Sequence, residues 1–236
     1  MKNDVRLQKY MGLVALGYST RAELVWRLSE ILGHATISGT VNRTAKIAKQ
    51  LGLVYCENIR LFRHGQMQMV RLTNAGENWC IEREIFPEVG DWDLMRRFHD
   101  GDNQPRHTAA VLMFAYQARR RGWTASVMPY VVTMRRGLQW EPDIKLCNFE
   151  TGQSVYCEVE TRARYAKVEE GKFAKALDGC HEMASQLGVV GLMPYAADKF
   201  QQWLPGDVLV TDLSSLCQGQ KALWRQGYQA KSEGGL

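Results

Sequence analysis

The sequence predicts two domains, an α+β unit of three helices and a β-ribbon followed by an α/β unit, and three observations carry that division. The 236 residues exceed the roughly 100–150 of an average compact domain. Apolar residues recur at helical spacing three times before Gly52 and then give way to two short β-branched and aromatic runs. Between residues 86 and 105, Pro87, Gly90, Gly101 and Pro105 stand among a cluster of acids, and beyond them the pattern changes. The boundaries that follow are 1–86 for the first domain, 87–105 for a linker, 106–230 for the second domain and 231–236 for a frayed tail.

In the first domain, Leu7, Tyr10, Met11, Val14 and Ala15 give a helix that Gly17 stops. Ser19 or Thr20 caps a second helix, since Glu23 stands three residues after Thr20 and Leu24, Val25, Leu28, Ile31 and Leu32 share a face. Ser38 or Thr40 opens a third, running to about Leu51 with Val41, Ala45, Ala48 and Leu51 inward. Strands at 53–62 and 67–73 flank Arg63-His64-Gly65-Gln66, a turn that suits a hairpin. Thr73 or Asn74 then starts a helix to about Ile85.

Positive charge collects where this order of elements would use it. No Asp or Glu stands between Glu30 and Glu57, while Arg43, Lys46 and Lys49 project from the third helix at three-residue spacing. Arg60, Arg63, His64 and Arg71 decorate the ribbon. Three helices and a ribbon in this order are the winged helix-turn-helix arrangement, in which the third helix enters the major groove and the ribbon lies along phosphates. The run Val70-Arg71-Leu72-Thr73-Asn74-Ala75-Gly76 resembles the wing of bacterial winged-helix proteins, where Leu-Thr-x-x-Gly closes the second wing strand. That resemblance covers about the first 85 residues and implies double-stranded DNA as partner. Thr36, Ser38, Thr40 and Asn42 suit either DNA contacts or helix caps.

The second domain reads as an α-β-β-β-α-β core: a helix at 108–121, strands at 125–133, 141–149 and 154–161, a helix at 168–187 and a strand at 189–193. A short helix near Lys199 and a strand at 208–211 follow. A hairpin centred on Thr151-Gly152 sets Asp143 opposite Glu160 and Lys145 opposite Glu158. Alternation along strands then puts Asp143, Glu158 and Glu160 on one face and Ile144, Leu146, Val155, Cys157 and Val159 on the other. Clustered carboxylates suit a divalent cation, and a Lys145–Glu158 ion pair explains part of the same pattern without one.

Pro142-Asp143 on one strand and Glu158-Val159-Glu160 on the next, in this core order, resemble the PD-(D/E)xK nuclease superfamily. Glu158-Val159-Glu160-Thr161 followed by a lysine on the next helix is similar, more narrowly, to the replication-relaxation family of bacterial mobile elements, which joins a winged helix to such a domain. The resemblance implies a DNA endonuclease or nickase in which Asp143 and Glu158 hold Mg²⁺ or Mn²⁺ and Glu160 assists or neighbours the catalytic site. Glu160 stands where the superfamily carries its lysine, so Lys172 is the expected replacement, with Lys175 and Lys167 behind it. His107 matches a histidine of the narrower family and is expected either to contact phosphate or to cap its helix. Arg119-Arg120-Arg121, Arg135-Arg136 and the segment 162–167 add positive charge for DNA under any reading.

Composition bounds the alternatives. Hydrophobic residues make up 45% and charged residues 23%, which is globular, and no signal-peptide pattern or membrane-length apolar run occurs, so a cytoplasmic protein is expected. The six cysteines lack metal-ligand spacing and read as reduced thiols, and the net charge of +5 is mild. Besides the nuclease, two readings stand: a DNA-binding regulator or replication accessory factor without chemistry, and a homodimerisation or partner platform anchored by Trp203, Leu204 and Trp224, for which core packing is preferred.

Overall fold

Thr20 starts the second helix as its cap, accepting the backbone N–H of Glu23 at 3.2 Å. In the computed structural model, residues 2–34, 39–63, 65–99, 102–134, 137, 139–162 and 166–225 are described. Thr36, Ser38, His64, Arg135, Arg136, the side chain of Lys167 and the tail 231–236 lie outside the described residues. The chain divides into two compact units, 1–116 and 117–236.

In the first unit, helices α1 (Lys2–Ala15), α2 (Arg21–Ile31) and α3 (Gly39–Gln50) bury most of the expected stripes, but Ile31 and Leu51, expected inward, stand at the helix ends and are exposed. Tyr10, Met11 and Val14, Leu24, Val25 and Leu28, and Val41, Ala45 and Ala48 meet in one core with Leu53, Val54, Val70 and Cys80. Strands β1 (Val54–Arg60) and β2 (Gln66–Leu72) pair antiparallel, with Arg60 opposite Gln66. The segment before α2 joins that ribbon, since Ser19 accepts from the Val70 N–H at 2.9 Å and Thr20 bridges Met69.

The Leu-Thr-x-x-Gly run is a joint. Thr73 caps α4 (Asn74–Ile81) by accepting the Gly76 N–H at 3.0 Å, and its hydroxyl donates to the Gly52 carbonyl at 2.7 Å. A Cβ on Gly76 would lie 1.9 Å from the Leu53 carbonyl oxygen, so only glycine lets α4 pass so close to the start of β1.

The stretch expected as a linker contains helix α5 (Asp91–Phe98). Its acids mislead as loop residues because Asp91 and Asp93 occupy the first turn, where carboxylates complement the helix dipole. Trp92 and Met95, three residues apart, are buried. Helix α6 (Pro105–Arg119) follows, opened by proline, and the division between the units falls inside it.

The second unit is built on a five-stranded mixed sheet of order β3-β6-β7-β8-β9. Strands β3 (Thr124–Val127), β6 (Ile144–Asn148) and β7 (Gln153–Glu160) are antiparallel neighbours, and β8 (Gln186–Gly191) and β9 (Leu209–Asp212) continue in parallel. The strand expected at 125–133 is broken because Met128 takes φ 47° and Pro129 lacks an N–H. Its remainder, β4 (Val132–Thr133), pairs with β5 (Gln139–Trp140) in a separate small hairpin. Helix α7 (Ala166–Glu182) stops short of the expected Leu187: Ala184 takes φ 48° and the Ser185 N–H turns back to the Cys180 carbonyl at 2.9 Å. Helices α8 (Pro194–Trp203) and α9 (Leu213–Cys217) complete the unit.

The β6–β7 register differs from the expected one by two residues, with Asn148 opposite Gln153 and Lys145 opposite Tyr156. Asn148 sets it by accepting the N–H groups of Glu150 and Thr151 at 3.0 and 3.3 Å, which closes a turn over 149–152. An even shift keeps every side chain on its face. Ile144, Leu146, Val155, Cys157 and Val159 are buried on one side, while Tyr156, Leu187, Val189 and Val210 on the other pack under Phe173 of α7 and Phe200 of α8. Trp203 and Leu204 pack against this core, and the Trp224 ring lies over Gly188. All six cysteines are free, and no helix among the described residues is long and apolar enough to cross a membrane.

Candidate nucleic-acid interface and carboxylate site

On α3, Val41, Thr44, Ala45 and Ala48 turn inward while Arg43, Lys46 and Lys49 are exposed. A cleft of about 360 Å³ between α3 and the ribbon is lined by Arg21, Asn42, Arg43, Lys46, Lys49 and Gln68, with Tyr10, Gly39, Ala45 and Cys56. Four cations and no carboxylate border it. Arg21 spans the cleft, donating to Asn42 Oδ1 at 3.2 Å and to Gln68 Oε1 at 3.4 Å, and Gln68 donates to Asn58 Oδ1 at 3.0 Å. A second hollow of about 390 Å³ is bordered by Arg6, Thr40, Arg43 and Thr44.

Arg21 is absent from the sequence expectations, yet a signal existed. It is the first residue of α2, where the helix dipole disfavours a cation, so its presence asks for another purpose.

Alternation sorts the ribbon arginines. Arg60 shares a face with Asn58, Cys56 and Gln68 and is exposed, as is Arg63 in the turn. Arg71 is on the opposite face, paired with Tyr55. Its guanidinium lies 5.0 Å from the Tyr55 ring, 5.6 Å from Trp92 and 3.9 Å from Asp93 Oδ1. It fastens α5 to the ribbon and does not join the cleft. His107, on α6, has its ring 5.4 Å from that of His99 and borders neither hollow.

In the second unit, Asp143 precedes β6 and faces β7 at Glu158. Its N–H donates to the Cys157 carbonyl at 3.1 Å, and its Oδ2 accepts the Val159 N–H at 2.7 Å, in place of a backbone oxygen. Both carboxyls are buried, at 2% and 4% exposure. Glu158 Oε1 accepts the Trp140 indole N–H at 2.5 Å, and Oε2 lies 3.1 Å from the Lys172 ammonium, which also contacts Glu160 Oε1. The small hairpin thus delivers Trp140 and α7 delivers Lys172 to one pair of carboxylates. A Cβ on Gly179 would lie 2.5 Å from the Trp140 ring, so the absence of a side chain on α7 makes room for the indole.

The electrostatics follow. Burial, reinforced by the charge of Asp143, pushes the Glu158 carboxyl up to about 7, against the pull of Lys172 and of the indole N–H. Burial opposes the charge of Lys172, but Glu158 and Glu160 overcome it and hold the ammonium above the usual lysine range. The structure therefore brings together Asp143, Glu158, Glu160 and Lys172, with Trp140 as a partner that the sequence did not suggest. Lys175, the alternative lysine, borders a separate hollow with Glu141 and Gln139.

Beside this cluster the expected Lys145–Glu158 pair is not formed, because the shifted register sets Lys145 against Tyr156. Lys145 Nζ donates to the Tyr130 hydroxyl at 3.3 Å and lies 5.4 and 5.3 Å from the Tyr130 and Tyr156 rings. The two phenols share a hydrogen bond, and Tyr156 packs edge-on against Trp140.

No family model matches the chain, and no curated protein matches it. Among solved structures the chain is similar to an X-ray structure described as a "PadR-like Transcription factor from bacteroid fragilis", at 19% identity and a TM-score of 0.31. The likeness covers 36% of this chain and 81% of that one. At that size it says nothing of function.

Proposed function

We propose that the protein binds double-stranded DNA through a winged helix in its first unit, with α3 as the recognition helix and the β1–β2 ribbon as the wing. The observation that carries this reading is the cleft between them, bordered by Arg21 and by Arg43, Lys46 and Lys49, the last three from a stretch of sequence without acids from residue 31 to residue 56. Cations at this density neutralise phosphates and release counterions, and Asn42 and Arg43 are of the types that read adenine and guanine edges. Arg21 positions Asn42. Titration of a labelled duplex with the wild type and with Arg43→Ala/Lys46→Ala tests it: the double variant is expected to bind at least tenfold more weakly at equal salt, and equal affinity overturns the assignment.

A second reading concerns the second unit, which we propose as a metal-dependent phosphodiesterase site of the PD-(D/E)xK type. It is favoured by the convergence of Asp143, Glu158 and Lys172. The donor set fits a hard divalent cation, since two buried carboxyls face each other and burial, with the charge of Asp143, holds Glu158 well above its usual range, a cost that a bound cation would offset. Asp143 and Glu158 would hold magnesium, which when bound polarises a phosphoryl oxygen and lowers the pKa of water. Trp140 orients Glu158, and Lys172 holds a positive charge beside it. The test is incubation with supercoiled plasmid and Mg²⁺ or Mn²⁺: cleavage by the wild type that Asp143→Asn lacks is expected, and matching traces overturn the hydrolytic reading and leave a binder.

A further inference from the structure

Among the described residues, helices cover the β8 and β9 side of the sheet face that carries the carboxyl pair, and the small hairpin lays Trp140 over Tyr156 and Glu158. Helix α7 packs on β8, and α8 on β8 and β9, over the row Tyr156, Leu187, Val189 and Val210. Toward β6 and β3 the same face has Lys145 half-buried and its partner Ser126 exposed. Tyr130 stands there with 47% exposure. Lys145 follows Asp143 by two residues, about 6.8 Å of extended chain, a distance comparable to the step between successive phosphates of a stretched strand.

Lys145 is arranged to receive an anion. Its ammonium is set between two tyrosine rings and one hydroxyl, and among the described residues no carboxylate pairs with it. The Tyr130 hydroxyl and the two neighbouring rings hold the charge in place without neutralising it. An exposed ring beside a fixed cation is the combination by which proteins hold single-stranded nucleic acid, with bases stacked and phosphates paired.

We propose that the half of this face outside the helices, from Tyr130 and Lys145 to the edge of the buried Asp143–Glu158 pair, is a shelf for one unpaired strand of DNA. Lys145 takes a backbone phosphate, Tyr130 stacks a base, and the strand leads toward the carboxyls. The shelf rests on the hydrolytic reading for its purpose but not for its binding, which needs no metal. It also separates the two units by substrate: duplex for α3, single strand for the sheet.

The experiment measures anisotropy of fluorescein-labelled oligo-dT with the full chain in EDTA, in an Arg43→Ala/Lys46→Ala/Lys49→Ala background that removes the α3 cations. Lys145→Gln and Tyr130→Leu are each expected to weaken binding about tenfold, and Lys145→Gln to reduce the slope of log K against log salt by about 0.7. Tyr130→Phe keeps the ring and is expected to stay within about threefold of the background protein. A background protein that does not bind oligo-dT, or Lys145→Gln and Tyr130→Leu proteins that bind it unchanged, overturns the shelf. Because metal is absent, a plasmid assay without cleavage leaves the shelf standing, whereas cleavage together with unchanged oligo-dT binding overturns the shelf alone.

Discussion

Glu158 is the residue through which the carboxylate site reports on itself, and replacing it with glutamine isolates its charge. The side chain keeps its shape and can still accept the Trp140 indole N–H. At 1.36 kcal/mol per pKa unit, lifting this carboxyl from its ordinary 4.5 to about 7 costs the ionised form about 3 kcal/mol. At low pH the group is neutral in both folded and unfolded chains and the cost is absent. As pH rises from 4.5 to 7 the unfolded chain releases its proton first, so the folded state binds more protons and stability falls. Above 7 the loss is complete. The assay is urea unfolding of the wild type and Glu158→Gln at pH 5 and pH 8, where other titrating groups cancel in the difference. The variant is expected to gain about 2–3 kcal/mol on the wild type between the two pH values. A difference that stays constant, or that moves toward the wild type, refutes the argument that Glu158 is buried beside a second negative charge.

Three further outcomes follow from contacts already described. Trp140→Phe removes the donor to Glu158 Oε1 and is expected to raise that carboxyl by a further 1–2 pKa units, roughly the worth of a hydrogen bond to a charged group, as read by carbon-detected NMR titration. Gly76→Ala is expected to destabilise the first unit by about 2–3 kcal/mol in thermal or urea unfolding. There the Leu53 carbonyl has no room to yield, since it also accepts the Thr73 N–H at 3.1 Å, and the gain in helix propensity of about 1 kcal/mol does not offset the clash. At pH 8, millimolar Mg²⁺ is expected to raise the midpoint of unfolding in the wild type and to leave Asp143→Asn unmoved; equal shifts in both place the cation elsewhere.

Local chemistry made much of the first unit legible. Thr20 and Thr73 are capping residues by type and position, and the apolar stripes of α1 to α3 repeat at the helical period. What was hidden depended on partners far along the chain. The acids at 91 and 93 read as linker because Trp92 and Met95 show their apolar period only over one turn. In the second unit, face assignment needs only strand alternation, so Asp143, Glu158 and Glu160 fall on one face in either of two registers that differ by two residues. The register itself hung on one Asn148 side chain closing a turn, which the symmetry of Thr151-Gly152 disguised. Trp140 could not be read at all, since Met128 and Pro129 break the preceding strand and fold a second hairpin over the site.

The central claim is that α3 holds duplex DNA by neutralising its phosphates. Its most direct measurement is the slope of log affinity against log salt for a duplex bound by the wild type and by Arg43→Ala/Lys46→Ala/Lys49→Ala. Each phosphate contact contributes about 0.9 to that slope, so the triple variant is expected to lose between about 2 and 3. An unchanged slope would contradict the account, because the α3 cations would then face no DNA backbone.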